Sequence, residues 1–132
     1  MRVAVDTNVV VRFLVGDDPD QYALAREAME SAEYLVFPTV TLCETVWVLE
    51  RRYRLAGTEI AAMLRALINT ETAEFDRSAA EAGLAMLEAG GDFADGVIAQ
   101  QGRMSGAAMF VSFDRKAVRL LDQAGQPARL LA

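Results

Sequence analysis

Val3-Ala4-Val5-Asp6-Thr7-Asn8-Val9-Val10 holds the reading of the fold. Three small apolar residues form a run too short for a helix and read as a buried strand that stops at an acid. Directly beyond, Val9, Val10, Phe13 and Leu14 recur at helical spacing up to Gly16, which suits a left-handed C-cap. A buried strand that ends in an acid and passes straight into a helix opens an alternating α/β chain.

The same pattern recurs outward from that start. Asp18 reads as an N-cap with Pro19 at N1 and Gln21 closing a capping box, for a helix through Met29. Tyr34 to Phe37 is a second strand, ended by Pro38. Thr39 to Arg54 reads as a long helix with Leu42, Val46 and Leu49 on one face, and Gly57-Thr58 breaks it before a helix over Ile60 to Ile68. Thr72 to Phe75 reads as a short strand and Arg77 to Glu88 as a helix. Asp92 opens a further helix to about Met104. Ala107 to Ser112 is a strand stopping near Asp114, a helix follows through Leu121, and Ala128 to Leu131 is a last strand. Strands alternating with helices predict a parallel sheet covered on both faces, in one domain over residues 1–132. Right-handed crossovers then bring the strand C-termini to one edge, where open α/β sheets bind ligands.

Composition narrows the chemistry. The 132 residues, 53% apolar, suffice for a core, and no apolar run approaches bilayer length. The N-terminus lacks the features of a signal peptide, and a single cysteine, Cys43, suits a reducing cytoplasm. With no histidine, the usual zinc sites and Ser-His-Asp or Cys-His catalysis are excluded. Acid–base or metal chemistry must come from carboxylates. The net charge of −6 lacks the basic footprint of most nucleic-acid binders. A carboxylate pocket loaded with cations inverts its own charge, however, and an acidic chain suits an arginine-rich partner.

Four acids stand out by position. Asp6 and Asp114 each lie just past the end of an apolar strand. Glu44 lies in the first turns of the helix after the second strand, and Asp95 one turn into the helix before the last long strand. In a parallel sheet all four are expected at one edge. Gathered carboxylates repel unless a cation holds them, and oxygen-only donors suit Mg²⁺ or Mn²⁺. Such ions, singly or in pairs roughly 3.5–4 Å apart, serve phosphodiester hydrolysis. Each acid also has a plain structural reading. Asp6 and Asp114 suit N-caps, Glu44 would close a capping box from Thr41, and Asp95 would serve the dipole of a helix capped by Asp92. Taken singly the plain reading is favoured; capping does not require all four to share one edge.

Val5-Asp6-Thr7-Asn8, Leu42-Cys43-Glu44-Thr45, Asp92-Phe93-Ala94-Asp95 and Ser112-Phe113-Asp114-Arg115, in that order and spacing, resemble the PIN-domain family. Within it, the chain looks most like the VapC-type toxins of bacterial toxin–antitoxin pairs, and the resemblance covers nearly the whole sequence. It implies an α/β/α sandwich with a mainly parallel five-stranded sheet and Mg²⁺- or Mn²⁺-dependent endoribonuclease activity. It further implies Asp6, Glu44, Asp95 and Asp114 as metal-holding catalytic acids, with Asp92 as an outer acid whose N-cap role weighs equally. Thr7, Asn8 and Ser112 match small polar positions, Asn8 or Ser112 being suited to orient Asp6 or Asp114. Gly96 stands where alanine is commoner, which predicts a helix start looser by about 1 kcal/mol or less.

The resemblance also implies RNA as substrate, a homodimer, and a cognate antitoxin whose C-terminal segment wraps the toxin. Arg12 and Arg115 are candidate phosphate contacts, while Arg51, Arg52 and Arg54 read as a solvated face. Trp47, Leu49, Tyr53, Met63 and Leu67 are candidates for dimer or antitoxin contacts, although such a stripe is more often core. The alternative is a non-catalytic interaction domain of the same fold, which a missing acid would mark; none is missing. A phosphoacceptor domain fits poorly, because Thr7-Asn8 follow Asp6 where a paired acid is wanted and the only lysine, Lys116, lies several residues past the last long strand.

Overall fold

In the computed structural model, which describes residues 1–132, the opening apolar run becomes strand β1, Arg2–Ala4. It belongs to the first of two compact units, Met1–Asp76 and Arg77–Ala132. In the first unit β1 pairs in parallel with β2, Tyr34–Val36, and β2 with β3, Ala73–Glu74. Val3 stands opposite Leu35, and Leu35 opposite Ala73. Parallel neighbours need long crossovers. Here they are α1 (Thr7–Val15) with α2 (Pro19–Glu30), then α3 (Thr39–Arg51) with α4 (Gly57–Ile68). Val10, Val11, Phe37, Leu42, Val46, Leu49, Ile60 and Leu64 are buried as the core of this unit.

Local signals explain most of these boundaries. Asp6 caps α1, and Gly16 ends it at φ 69, its amide bonded to the Arg12 carbonyl. Asp18 caps α2 by accepting from the Gln21 amide at 3.1 Å, with Pro19 at N1, as its sequence predicts. Helix α3 stops at Arg51 rather than Arg54. Arg54 adopts φ 54, and the Leu55 amide reaches back to the Leu49 carbonyl at 3.1 Å, closing the helix before the glycine.

The second unit runs α5 (Arg77–Glu88), α6 (Phe93–Met104), β4 (Phe110–Ser112), α7 (Arg115–Gln123) and β5 (Ala128–Leu130). Strands β4 and β5 pair in parallel, with Phe110 opposite Ala128 and Ser112 opposite Leu130. Met86, Ala99 and Leu121 are buried against Phe110, Leu120 and Ala128. Helices α5 and α6 meet through small residues. A Cβ at Gly83 would fall 2.6 Å from the Phe93 ring, so the glycine is what admits that fully buried side chain.

The chain is thus α/β with parallel pairing throughout, and all five expected strands form. They pair as a three-stranded and a two-stranded ladder rather than one five-stranded sheet. Each ladder is short, with two or three residues paired per strand. No helix is long and apolar enough to cross a membrane.

Candidate active site

In the first unit, Asp6 follows β1 and is exposed at the N-terminus of α1. Its Oδ1 accepts the Thr7 amide at 2.8 Å, while its carbonyl accepts the Val9 and Val10 amides. One carboxylate oxygen is therefore engaged as a cap. Beside it the Thr7 hydroxyl is buried with no hydrogen-bond partner, which is uncommon for a buried polar atom.

Glu44 is held on the same edge by a different contact. Helix α3 begins after Pro38 with no side-chain cap. The hydroxyl of Thr41 donates instead to the Val5 carbonyl at 3.3 Å, pinning the first turn of α3 to the residue before Asp6. The capping-box reading of Thr41 and Glu44 fails for this reason, since Thr41 is buried in another bond. Glu44, one turn on, is exposed.

In the second unit, Asp92 is the N-cap of α6, accepting the Ala94 amide at 3.2 Å, and Asp95 lies half-buried in the first turn. Asp114 caps α7 by accepting the Lys116 and Ala117 amides at 3.0 and 3.1 Å. Ser112 accepts the Asp114 amide at 2.9 Å, so its hydroxyl shapes the turn that presents this carboxylate. Asp92 and Asp114 are both close enough for their charge to act on Asp95. Asp95 holds its proton above the ordinary carboxylate value, first because burial strips its solvent and then because Asp92 and Asp114 repel a further negative charge.

That shift has a consequence for stability. Between the ordinary value of 3.8 and the raised one, the unfolded chain has already released the proton that the folded chain keeps. Stability therefore falls as pH rises through that window, and the charged carboxylate remains a fixed cost above it. Asp95→Asn is expected to raise the melting temperature at neutral pH in chelator. Solvent screening at a half-exposed group holds the gain to about 2 °C or less. The gain should vanish below pH 3.8, and a pH series of thermal melts on parent and variant checks it.

Of the basic candidates, Arg12 is engaged, its guanidinium 3.3 Å from Asp17 and 3.4 Å from the Tyr53 hydroxyl, which itself donates to Asp17. That network, which the sequence did not announce, competes with a phosphate contact. Arg115 is exposed at the start of α7, and Asn8 is exposed in the first turn of α1. Trp47 is no part of the core; it is exposed on α3. The signal for this was present, because Leu42, Val46 and Leu49 occupy the opposite side of the helix.

No three acidic, histidine or cysteine side chains are drawn tightly enough together to hold an ion by themselves. The donors nonetheless suit a hard divalent cation. They are all carboxylate oxygens, and in the second unit burial and then the charges of Asp92 and Asp114 disfavour the charged form of Asp95, a cost a cation would relieve.

The family model for the PIN domain matches residues 3–122, running through both units. A comparison with curated proteins gave no significant match.

Proposed function

This chain belongs to the PIN-domain family, and from that premise we propose that it is a metal-dependent endoribonuclease. The observation that carries the reading is the family match over residues 3–122 in a chain that keeps an acid at each of Asp6, Glu44, Asp95 and Asp114. We take one family model crossing both units as support for a single functional domain over residues 1–132.

In this reading Asp6, Glu44, Asp95 and Asp114 hold Mg²⁺ or Mn²⁺, with Asp92 outside them as a cap. A divalent ion so held supplies charge to the scissile phosphate and acidity to an attacking water. The protein's own residues set the stage for it. Asp6 and Asp114 keep one oxygen each on helix amides, which fixes the carboxylate while leaving its second oxygen available. Ser112 holds the Asp114 turn, and Thr41 holds the helix of Glu44. The charged form of Asp95 would be favoured by a cation held there, against its burial and the repulsion of Asp92 and Asp114. Thr7 and Asn8 flank Asp6 as small polar supports, and Arg115, exposed beside Asp114, is the better phosphate contact of the two arginines.

The likeness to VapC-type toxins extends the proposal to a cytoplasmic homodimer silenced by a cognate antitoxin, for which a net charge of −6 favours a basic partner segment. Purified chain incubated with total RNA should cut it in Mg²⁺ or Mn²⁺ and leave it whole in chelator. Intact RNA under both metals would sink the nuclease reading in favour of a non-catalytic interaction domain.

A further inference from the structure

Helix α3 carries more than Glu44 on its outward side. Val40, Glu44, Trp47 and Arg51 follow one another at spacings of four, three and four, which aligns them along one helical stripe. All four are exposed, Val40 at 63% and Trp47 at 58%, while Leu42, Thr45, Val46 and Leu49 of the same helix are buried. The Arg51 guanidinium lies over the indole, 5.7 Å from the ring centroid. Arg52 and Arg54, also exposed, continue the positive charge beyond it.

We propose that Trp47, backed by Arg51, is a stacking platform for a base of single-stranded RNA, one helical turn from Glu44. The proposal rests on the nuclease reading above and names how that site holds its substrate. Proteins that bind single strands combine a flat aromatic face with cations that follow the phosphates, and stacking accepts any base because every base has a π-face. Arg51 occupies one side of the indole, and a base takes the other. Arg51, Arg52 and Arg54 supply the local charge complementarity to phosphate that the acidic chain lacks as a whole.

A protein partner fits the stripe less well. Helix docking relies on apolar anchors repeated along a face, whereas here the indole is flanked by Glu44 and Arg51, with Val40 the one apolar companion. Residues Glu44 and Trp47, three apart on one helix, have Cβ atoms roughly 5–6 Å apart, so a base on the indole would bring its own phosphate toward the acid.

Trp47 is the only tryptophan, so its emission reports this face alone. The Asp6→Asn variant, used to prevent cleavage, is titrated with a short single-stranded RNA of mixed sequence in Mg²⁺. Saturable quenching of the indole is expected. Trp47→Ala in the same background should bind that RNA about five- to a hundred-fold more weakly, from the usual strength of one stacked base. Trp47→Phe, which keeps a π-face, should retain most of the affinity. In the otherwise unaltered chain, Trp47→Ala should raise KM for RNA while kcat stays near the parent value. RNA binding with unquenched emission and unchanged affinity in Trp47→Ala overturns the platform, as does no RNA binding. So does emission that shifts with protein concentration without RNA, which would put a second copy on this face. Cleavage by the parent in Mg²⁺ is scored separately, so failure of the nuclease reading and failure of the platform give different results.

Discussion

Asp6→Asn is expected to lower Mg²⁺-dependent RNA cleavage by about a hundredfold or more, with the fold intact. The magnitude follows from the several kcal/mol a divalent ion supplies to a phosphoryl transition state, at about 1.4 kcal/mol per tenfold. The choice of asparagine separates the two roles of the residue. As a cap, Asp6 needs only one oxygen to accept the Thr7 amide, 2.8 Å away. An asparagine amide oxygen does this as well as a carboxylate. As a proposed metal donor it needs the negative charge, which asparagine lacks. The melting temperature should therefore stay within about 2 °C of the parent while the cleavage rate falls. Parent-rate cleavage by the variant in Mg²⁺ would remove Asp6 from the proposed site.

The largest effect on stability is expected at Gly96. Gly96→Ala should cost about 2 kcal/mol and lower the melting temperature by about 5–10 °C. Helix propensity alone argues the reverse, since alanine is favoured over glycine inside a helix by up to about 1 kcal/mol. The contact decides the sign. A Cβ at residue 96 would run into the backbone carbonyl of Ala82, and would lie 2.9 Å from the Met86 Cβ. The carbonyl belongs to the helix backbone and cannot turn aside. Helix α6 would have to move away from α5, carrying Asp95 with it.

Gly102 in the same helix is the control. There a Cβ would meet only the Ala107 Cβ, at an ordinary 3.7 Å. Gly102→Ala should then be neutral or stabilise by up to about 1 kcal/mol. Thermal melts of both variants test the account, and equal stability of Gly96→Ala and the parent would contradict it. The sequence reading of Gly96 as a slight loosening of the helix start is corrected by the same contact: the glycine is what allows α5 and α6 to approach.

Local signals in the sequence carried the element order a long way. Apolar runs of three residues that stop at an acid, the Asp18-Pro19 start and the Gly16 stop are properties of neighbouring residues, and each marks its element. The first strand, read as buried, nevertheless has Arg2 and Ala4 exposed and Val3 half-buried, and only Val5 just beyond it is buried. The acids were legible for the same reason, because Asp6, Asp92 and Asp114 sit at chain positions that local geometry makes N-caps. The end of α3 was not legible. It depends on Arg54 taking a left-handed conformation that arginine has no general preference for, and on a bond from Leu55 back to Leu49.

By itself, then, the sequence determined an α/β chain with parallel pairing, its caps, and the acids placed at strand ends and helix starts. These follow from side-chain period and from hydrogen bonds spanning three or four residues. The tertiary structure alone decided that Thr41 serves Val5 rather than a cap, that Gly96 is a packing requirement, and that Asp95 is raised by burial and by Asp92 and Asp114. It also decided that Trp47 faces solvent and that the five strands pair as three and two. Each of these depends on atoms far apart in the chain, or on the exclusion of solvent around them, and neither is encoded in any short stretch of residues.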